Sequence, residues 1–225
     1  MDHLGAVFLD LDDTLLTYQR SPAELLEASF SAVGFDPFFD VAEYYAIFDD
    51  HVGQFTDSRE VRRACFERIA RDHDRDPAHG RRVSDAYAEM RDHTAVEVLP
   101  GARDVVSTLS ETYPLALITN GPEEAQGAKL AATGLHEYFD VTVFAGTDAA
   151  PKPAPEPFEL ALEGVGVGPN EVVHVGDSID TDVRGAASVG INSVLVDIDE
   201  PMGEPLPDYH IPSIAALLDL PFFQL

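Results

Sequence analysis

Four short stretches of this chain gather residues able to do chemistry. They are Asp10-Leu11-Asp12-Asp13-Thr14, Thr119-Asn120-Gly121, Pro151-Lys152-Pro153, and Gly176-Asp177-Ser178 running on to Asp180 and Asp182. Carboxylates that converge cannot all stay ionised without a counter-charge. A divalent cation supplies one, and an all-oxygen donor set with room for water suits Mg²⁺ best. With the cation in place, such a site attracts a phosphate. Lys152 and the Thr119 hydroxyl then add positive charge and hydrogen bonding for phosphoryl oxygens. Each stretch alone is commonplace, because Asp-rich and Thr-Asn-Gly turns are frequent. The specificity lies in their order and in the elements that carry them.

Those elements read as a βα repeat interrupted once. Ala6 to Leu11 is a short apolar run bounded by acids, as in a buried parallel strand. After Pro100-Gly101, apolar runs at 115–119, 141–145, 171–176 and 191–196 alternate with helical stretches near 102–112, 123–133, 155–163 and 181–189. Each reactive stretch then falls at a strand end or in the loop after it, where open α/β sheets collect functional groups. Between about 20 and 94 the pattern is helical, with four openings: the capping box Ser21-Pro22-Ala23-Glu24, Asp40 with Glu43, Asp57 with Glu60, and Asp76-Pro77. Gly34 and Gly53 fall where the first two helices stop. The expected architecture is α/β, a Rossmann-like doubly wound parallel sheet over residues 1–16 and 97–225, opened by a four-helix insert over 17–96.

Composition narrows the class. The 225 residues carry 14 Lys+Arg against 41 Asp+Glu, a net charge of −27, with 45% hydrophobic residues and one Cys. One Cys excludes an internal disulfide and a Cys₄ or Cys₂His₂ zinc site. No apolar run approaches the ~18 residues of a membrane span, and the start lacks the basic, apolar character of a signal peptide. A cytoplasmic protein is expected. The negative charge disfavours nucleic acid as a partner. Only Lys129 and Lys152 are lysines. A chain so acidic and Lys-poor reads as halophilic, because concentrated salt screens its self-repulsion.

The stretches Phe8 to Leu15, Thr119 to Gly121, Pro151 to Pro153 and Gly176 to Asp182 resemble the four motifs of the haloacid dehalogenase-like (HAD) hydrolase superfamily, and Val183 to Ala186 and Gly190-Ile191 continue the likeness. The insert resembles that family's C1 cap. The resemblance implies a Mg²⁺-dependent phosphomonoester hydrolase with Asp10 as nucleophile and Asp12 as general acid and base. It implies metal held by the Asp10 and Asp177 side chains and the Asp12 carbonyl. Thr119, Asn120 (through its backbone) and Lys152 would hold phosphate, with Lys152 also catalytic and Asp182 orienting Lys152 or metal-bound water. Asp12 separates the chain from the metal-free 2-haloacid dehalogenases. The implied substrate is a small phosphorylated metabolite of the sugar-phosphate, nucleotide or phosphoglycolate type, handled by a monomer or homodimer. The alternatives are a phosphomutase or a 2-haloacid dehalogenase of the same superfamily, the latter disfavoured by Asp12, and, outside enzymes, a phospho-accepting receiver or a catalytically dead HAD-like binding protein.

Asp13 and Asp180 are expected to be a solvated or capping carboxylate and an N-cap. Cys65 and Phe30, Phe35, Phe38 and Phe39 are expected in the core of the insert, and His174 as a satisfied core histidine. Residues 17–96 hold 10 Arg and 16 acids. The expectation is Arg/Glu pairing on helix faces, Glu67 with Arg71 for example. The sharper alternative has one or two of these Arg meeting a second anionic group on the substrate.

Overall fold

The computed structural model describes residues 3–48, 58–196 and 204–223. In chain order the elements are β1 (Ala6–Leu9), β2 (Leu16–Tyr18), α1 (Pro22–Val33), α2 (Val41–Phe48), α3 (Ser58–Asp72), α4 (Pro77–Met90), β3 (Val96–Val98), α5 (Ala102–Ser110), β4 (Leu115–Asn120), α6 (Glu123–Thr133), β5 (Val141–Ala145), α7 (Glu156–Val165), β6 (Val172–Gly176), α8 (Arg184–Val189), β7 (Asn192–Val196) and β8 (Tyr209–Ile211). They form two compact units, Met1–Tyr18 with His93–Leu225, and Gln19–Asp92.

In the first unit six strands make one parallel sheet in the order β5-β4-β1-β6-β7-β8. The chain leaves β1 toward β4 and β5, then returns to its other side for β6, β7 and β8. That reversal opens a crevice at the carboxyl ends of β1, β4 and β6, the usual ligand site of a doubly wound sheet. Strand alternation sends Val7, Leu9, Leu115, Leu117, Val173 and Val175 to one core, and Ala6, Phe8, Ala116, Ile118 and Val172 to another with Phe158 and Ala161 of α7. Both faces of the sheet are therefore buried, which is why its strands read as continuous apolar runs.

Three features go beyond the expectation. An antiparallel ribbon pairs β2 with β3, Leu16 facing Val98 and Tyr18 facing Val96. A sixth strand, β8, lies beside β7. The helix expected at 181–189 splits into a π turn over Ile179–Val183 and the short α8.

In the second unit α1–α4 enclose their own core. Phe30 meets Phe38 and Phe39 edge-on, and Phe39 meets Phe66 with ring centroids 4.8 Å apart. Cys65 is fully buried there, and Phe35 and Phe38 pack against this core. Ser21 and Glu24 close the reciprocal capping box of α1, Glu43 N–H bonds the Asp40 carboxylate before α2, and Asp76 caps α4. The Asp57 opening and the Gly53 stop lie outside the described residues. No described helix is long and apolar enough to cross a membrane.

Candidate active site

Asp10 follows β1 directly, and its N–H bonds the Val175 carbonyl at 2.9 Å, so the carboxylate stands where β1 and β6 end together. Lys152 arrives from the loop before α7. Its backbone is bracketed by the Asn120 side chain, which donates to the Lys152 carbonyl at 3.0 Å and accepts from its N–H at 2.8 Å. The buried Lys152 Nζ then donates to Asp10 Oδ1 and Asp182 Oδ1, each at 2.6 Å. Asn120 thus builds the site with its side chain, as a clamp on the lysine loop.

The π turn delivers Asp182. The Ser178 carbonyl accepts from the N–H groups of both Asp182 and Val183, the expansion that defines the turn. Gly176 makes room: a Cβ there would lie 2.3 Å from Asp182 Cγ. Asp182 Oδ1 also meets His174 Nε2 at 2.8 Å, and Oδ2 accepts from the Ser178 N–H and the Thr181 hydroxyl. Asp180 is exposed and pairs with Arg184 at 3.0 Å, whereas Ser178 is the residue that caps the turn, correcting the N-cap expected at Asp180. His174 is buried as expected but not fully satisfied, because its Nδ1 has no partner. Burial holds its pKa below the ordinary value against the pull of Asp182. A neutral ring that donates from Nε2 fits both facts.

Ligand oxygens of Asp10, Asp177 and Asp182 lie within 4.8 Å of one another. Burial, opposed by Lys152 and reinforced by Asp182 and Asp177, pushes the Asp10 carboxyl up to about 8. Burial and then Asp182 push Asp177 up to about 7. Asp182 goes the other way. Burial would raise it, but Lys152 and His174 hold it well below the carboxylate range. Burial would likewise lower Lys152, but Asp10 and Asp182 hold it well above the lysine range. One ammonium does not neutralise three carboxylates. The deficit sits on Asp10 and Asp177, and this all-oxygen set fits a hard divalent cation. The oxygens of Asp182 are already engaged by donors, which sets it apart from the other two.

Sequence reasoning missed the surroundings of Asp12. Its two carboxylate oxygens each lie 2.7 Å from Lys129 Nζ, and Oδ2 accepts from Gln126 Nε2 at 2.8 Å. The same Gln126 amide donates to the Thr119 hydroxyl. Lys129 is buried and lies 4.6 Å from the centre of the Tyr18 ring. Gln126 and Lys129 stand three residues apart on α6, hence on one face of that helix. Asp13 carries φ +56°, conformational space that Asp tolerates better than most residues, and is exposed with its carboxylate on the Thr17 hydroxyl at 2.7 Å.

A doubly wound parallel sheet with a buried lysine among clustered carboxylates at its switch point is the architecture of an α/β protein with a polar site at its strand ends. Residues 4–190 match the haloacid dehalogenase-like hydrolase family. Glyceraldehyde 3-phosphate phosphatase of Methanopyrus kandleri is 28% identical over 96% of this chain and 97% of its own. Ribulose-1,5-bisphosphate 5-phosphatase of Halopiger xanaduensis is 30% identical over 96% and 98%. The crystal structure of the HAD-hydrolase YfnB from Bacillus subtilis, bound to magnesium, superposes with a TM-score of 0.79 at 22% identity over the whole of both chains. The chain belongs to the haloacid dehalogenase-like hydrolase family. It is a hydrolase of the phosphatase kind.

Proposed function

We propose that this hydrolase is a Mg²⁺-dependent phosphomonoesterase that acts on a small phosphorylated metabolite through an aspartyl-phosphate on Asp10. The observation that carries the reading is the Asp10–Lys152–Asp182 chain, with Asp177 alongside and Asp12 two residues from the nucleophile. In the first half-reaction an Asp10 oxygen bonds phosphorus and the ester oxygen leaves, taking the proton of the protonated Asp12 carboxyl. In the second, Asp12 takes a proton from water, which attacks phosphorus and releases phosphate and the Asp10 carboxylate. Lys152 steadies the nucleophile and the phosphoryl oxygens, Asp182 and Asn120 hold Lys152, and Thr119 with the Asn120 backbone receives the phosphoryl group. The Asp10 and Asp177 carboxylates and the Asp12 carbonyl would hold Mg²⁺, which when bound supplies the positive charge this site lacks.

The relatives act on a triose phosphate and a pentose bisphosphate by their names, which supports a small sugar-type phosphate here. The helical unit is read as the cap that selects it, and the protein as a cytoplasmic enzyme adapted to high salt. The test is hydrolysis of p-nitrophenyl phosphate. Asp10→Asn is expected to lose at least about 10³-fold in kcat, and EDTA to abolish turnover until Mg²⁺ is restored. Turnover that survives either change overturns the mechanism. A folded wild type that hydrolyses no phosphomonoester overturns the function.

A further inference from the structure

Gln126 stands near the start of α6 and is 2% exposed. Its backbone is fixed just after β4, where its N–H donates to the Pro122 carbonyl at 3.1 Å. Its side chain lies against the turn that ends β4: a Cβ at Gly121 would be 3.5 Å from Gln126 Cδ, an ordinary packing distance. There one amide nitrogen serves two residues. Nε2 donates to Asp12 Oδ2 at 2.8 Å and to the buried Thr119 hydroxyl. An amide NH₂ has two hydrogens, and this one uses both.

The neighbours dictate which end of the amide faces which way. A carboxylate paired with an ammonium only accepts, and Lys129 Nζ lies 2.7 Å from both Asp12 oxygens. The NH₂ end must face Asp12, because the amide oxygen would set acceptor against acceptor. Thr119 is then left one role toward Gln126: its oxygen accepts. Its proton remains to be given, and no acceptor among the described residues takes it. Gln126 does this without charge. A Lys or Arg in its place would compete with Lys129 for Asp12, and a Glu would take the Thr119 proton and repel Asp12. We propose that Gln126 is a positioning residue that bridges Thr119 and Asp12, with one amide turning the hydroxyl into a donor and holding the carboxylate in place. The proposal rests on the phosphatase reading, in which Thr119 receives the phosphoryl group and Asp12 moves the proton. It adds that a single side chain sets both ends of that reaction.

Two measurements on the full chain with Mg²⁺ decide this. The first compares kcat/KM for phenyl phosphate and 2,4-dinitrophenyl phosphate, esters of similar shape. Phenolate leaves far more readily with a proton, whereas dinitrophenolate needs none. Gln126→Met keeps the length of the side chain and removes both donors. It should lose about 10-fold on the dinitrophenyl ester, from the misdirected Thr119 hydroxyl, and about 10²-fold or more on the phenyl ester, from the displaced Asp12. The second measurement is calorimetric titration with inorganic phosphate, which should bind about 10-fold more weakly to the variant. A merely structural role lowers both esters by one factor, and that result overturns the bridge, as does an unchanged phosphate affinity. Should Gln126→Met fail to fold, Gln126→Glu keeps the shape, accepts from Thr119 and faces Asp12 with a second carboxylate, so the same two losses are expected. If the wild type turns over neither ester, the phosphatase reading falls and the titration decides alone. Equal phosphate affinity in wild type and variant then overturns the proposal, and weaker affinity in the variant upholds it at Thr119.

Discussion

At Lys152 one ammonium meets two carboxylates at 2.6 Å, and Asp177 stands beside them. This imbalance has a sign in pH. Asp10 and Asp177 rise from 3.8 to about 8 and about 7, so the metal-free folded chain binds more protons than the unfolded chain between those limits. Its stability therefore falls as pH rises through that window. A cation that takes the place of those protons gains most at the upper end. The melting temperature in EDTA should drop from about pH 5 to about pH 8, and the gain on adding Mg²⁺ should grow over the same range. A melting temperature in EDTA that climbs with pH through this window contradicts the assignment. Asp182, held low, has the opposite sign and gives up its contribution in acid.

The Asp12 pair makes a second residue-scale prediction. Lys129→Met removes the group that sets the Asp12 carboxylate and should cost about 10²-fold in kcat on an aryl phosphate, the scale of a misplaced catalytic group. An unchanged kcat with a lowered melting temperature would make Lys129 purely structural. The motif residues were legible because their types and order are unusual. Gln126 and Lys129 were not, since a Gln and a Lys one turn apart on a helix carry no motif. The usable signal was rarity: the chain has two lysines, and both are buried against carboxylates of the four stretches first singled out.

At the scale of elements, helix starts and sheet strands were readable because caps and apolar runs are local. The β2–β3 ribbon and β8 were not, as three residues are too few to show alternation. Nor was the π turn, which depends on one carbonyl accepting two N–H groups, an event with no signature in residue type. Close packing of α3 on α4 rests on Gly80, where a Cβ would come within 2.1 Å of the Phe66 carbonyl oxygen. Backbone cannot yield as a side-chain tip can. Gly80→Ala should therefore destabilise the fold by about 3 kcal/mol, read as a lower urea midpoint. A midpoint equal to that of wild type would mean the helices separate freely.

Over the whole molecule the charge of −27 divides unevenly: residues 17–96 hold 10 of the 12 Arg and 16 of the 41 acids. Most of the self-repulsion thus belongs to the α/β unit. Raising KCl from about 0.1 M to about 3 M contracts the Debye length to a few ångströms and should raise the melting temperature throughout. A flat or falling curve would show that surface repulsion does not limit stability.

The β2–β3 ribbon bears on how such a protein changes over generations. Tyr18 is in register with Val96, and its hydroxyl meets His93 Nδ1 at 2.7 Å, so the segment Gln19–Asp92 leaves and rejoins the sheet unit through neighbouring residues. The entropy of closing such an excursion grows only with the logarithm of its length, and the ribbon already ties its ends. Recombination between related genes could exchange the whole cassette, and its arginines with it, while the reaction machinery is inherited intact.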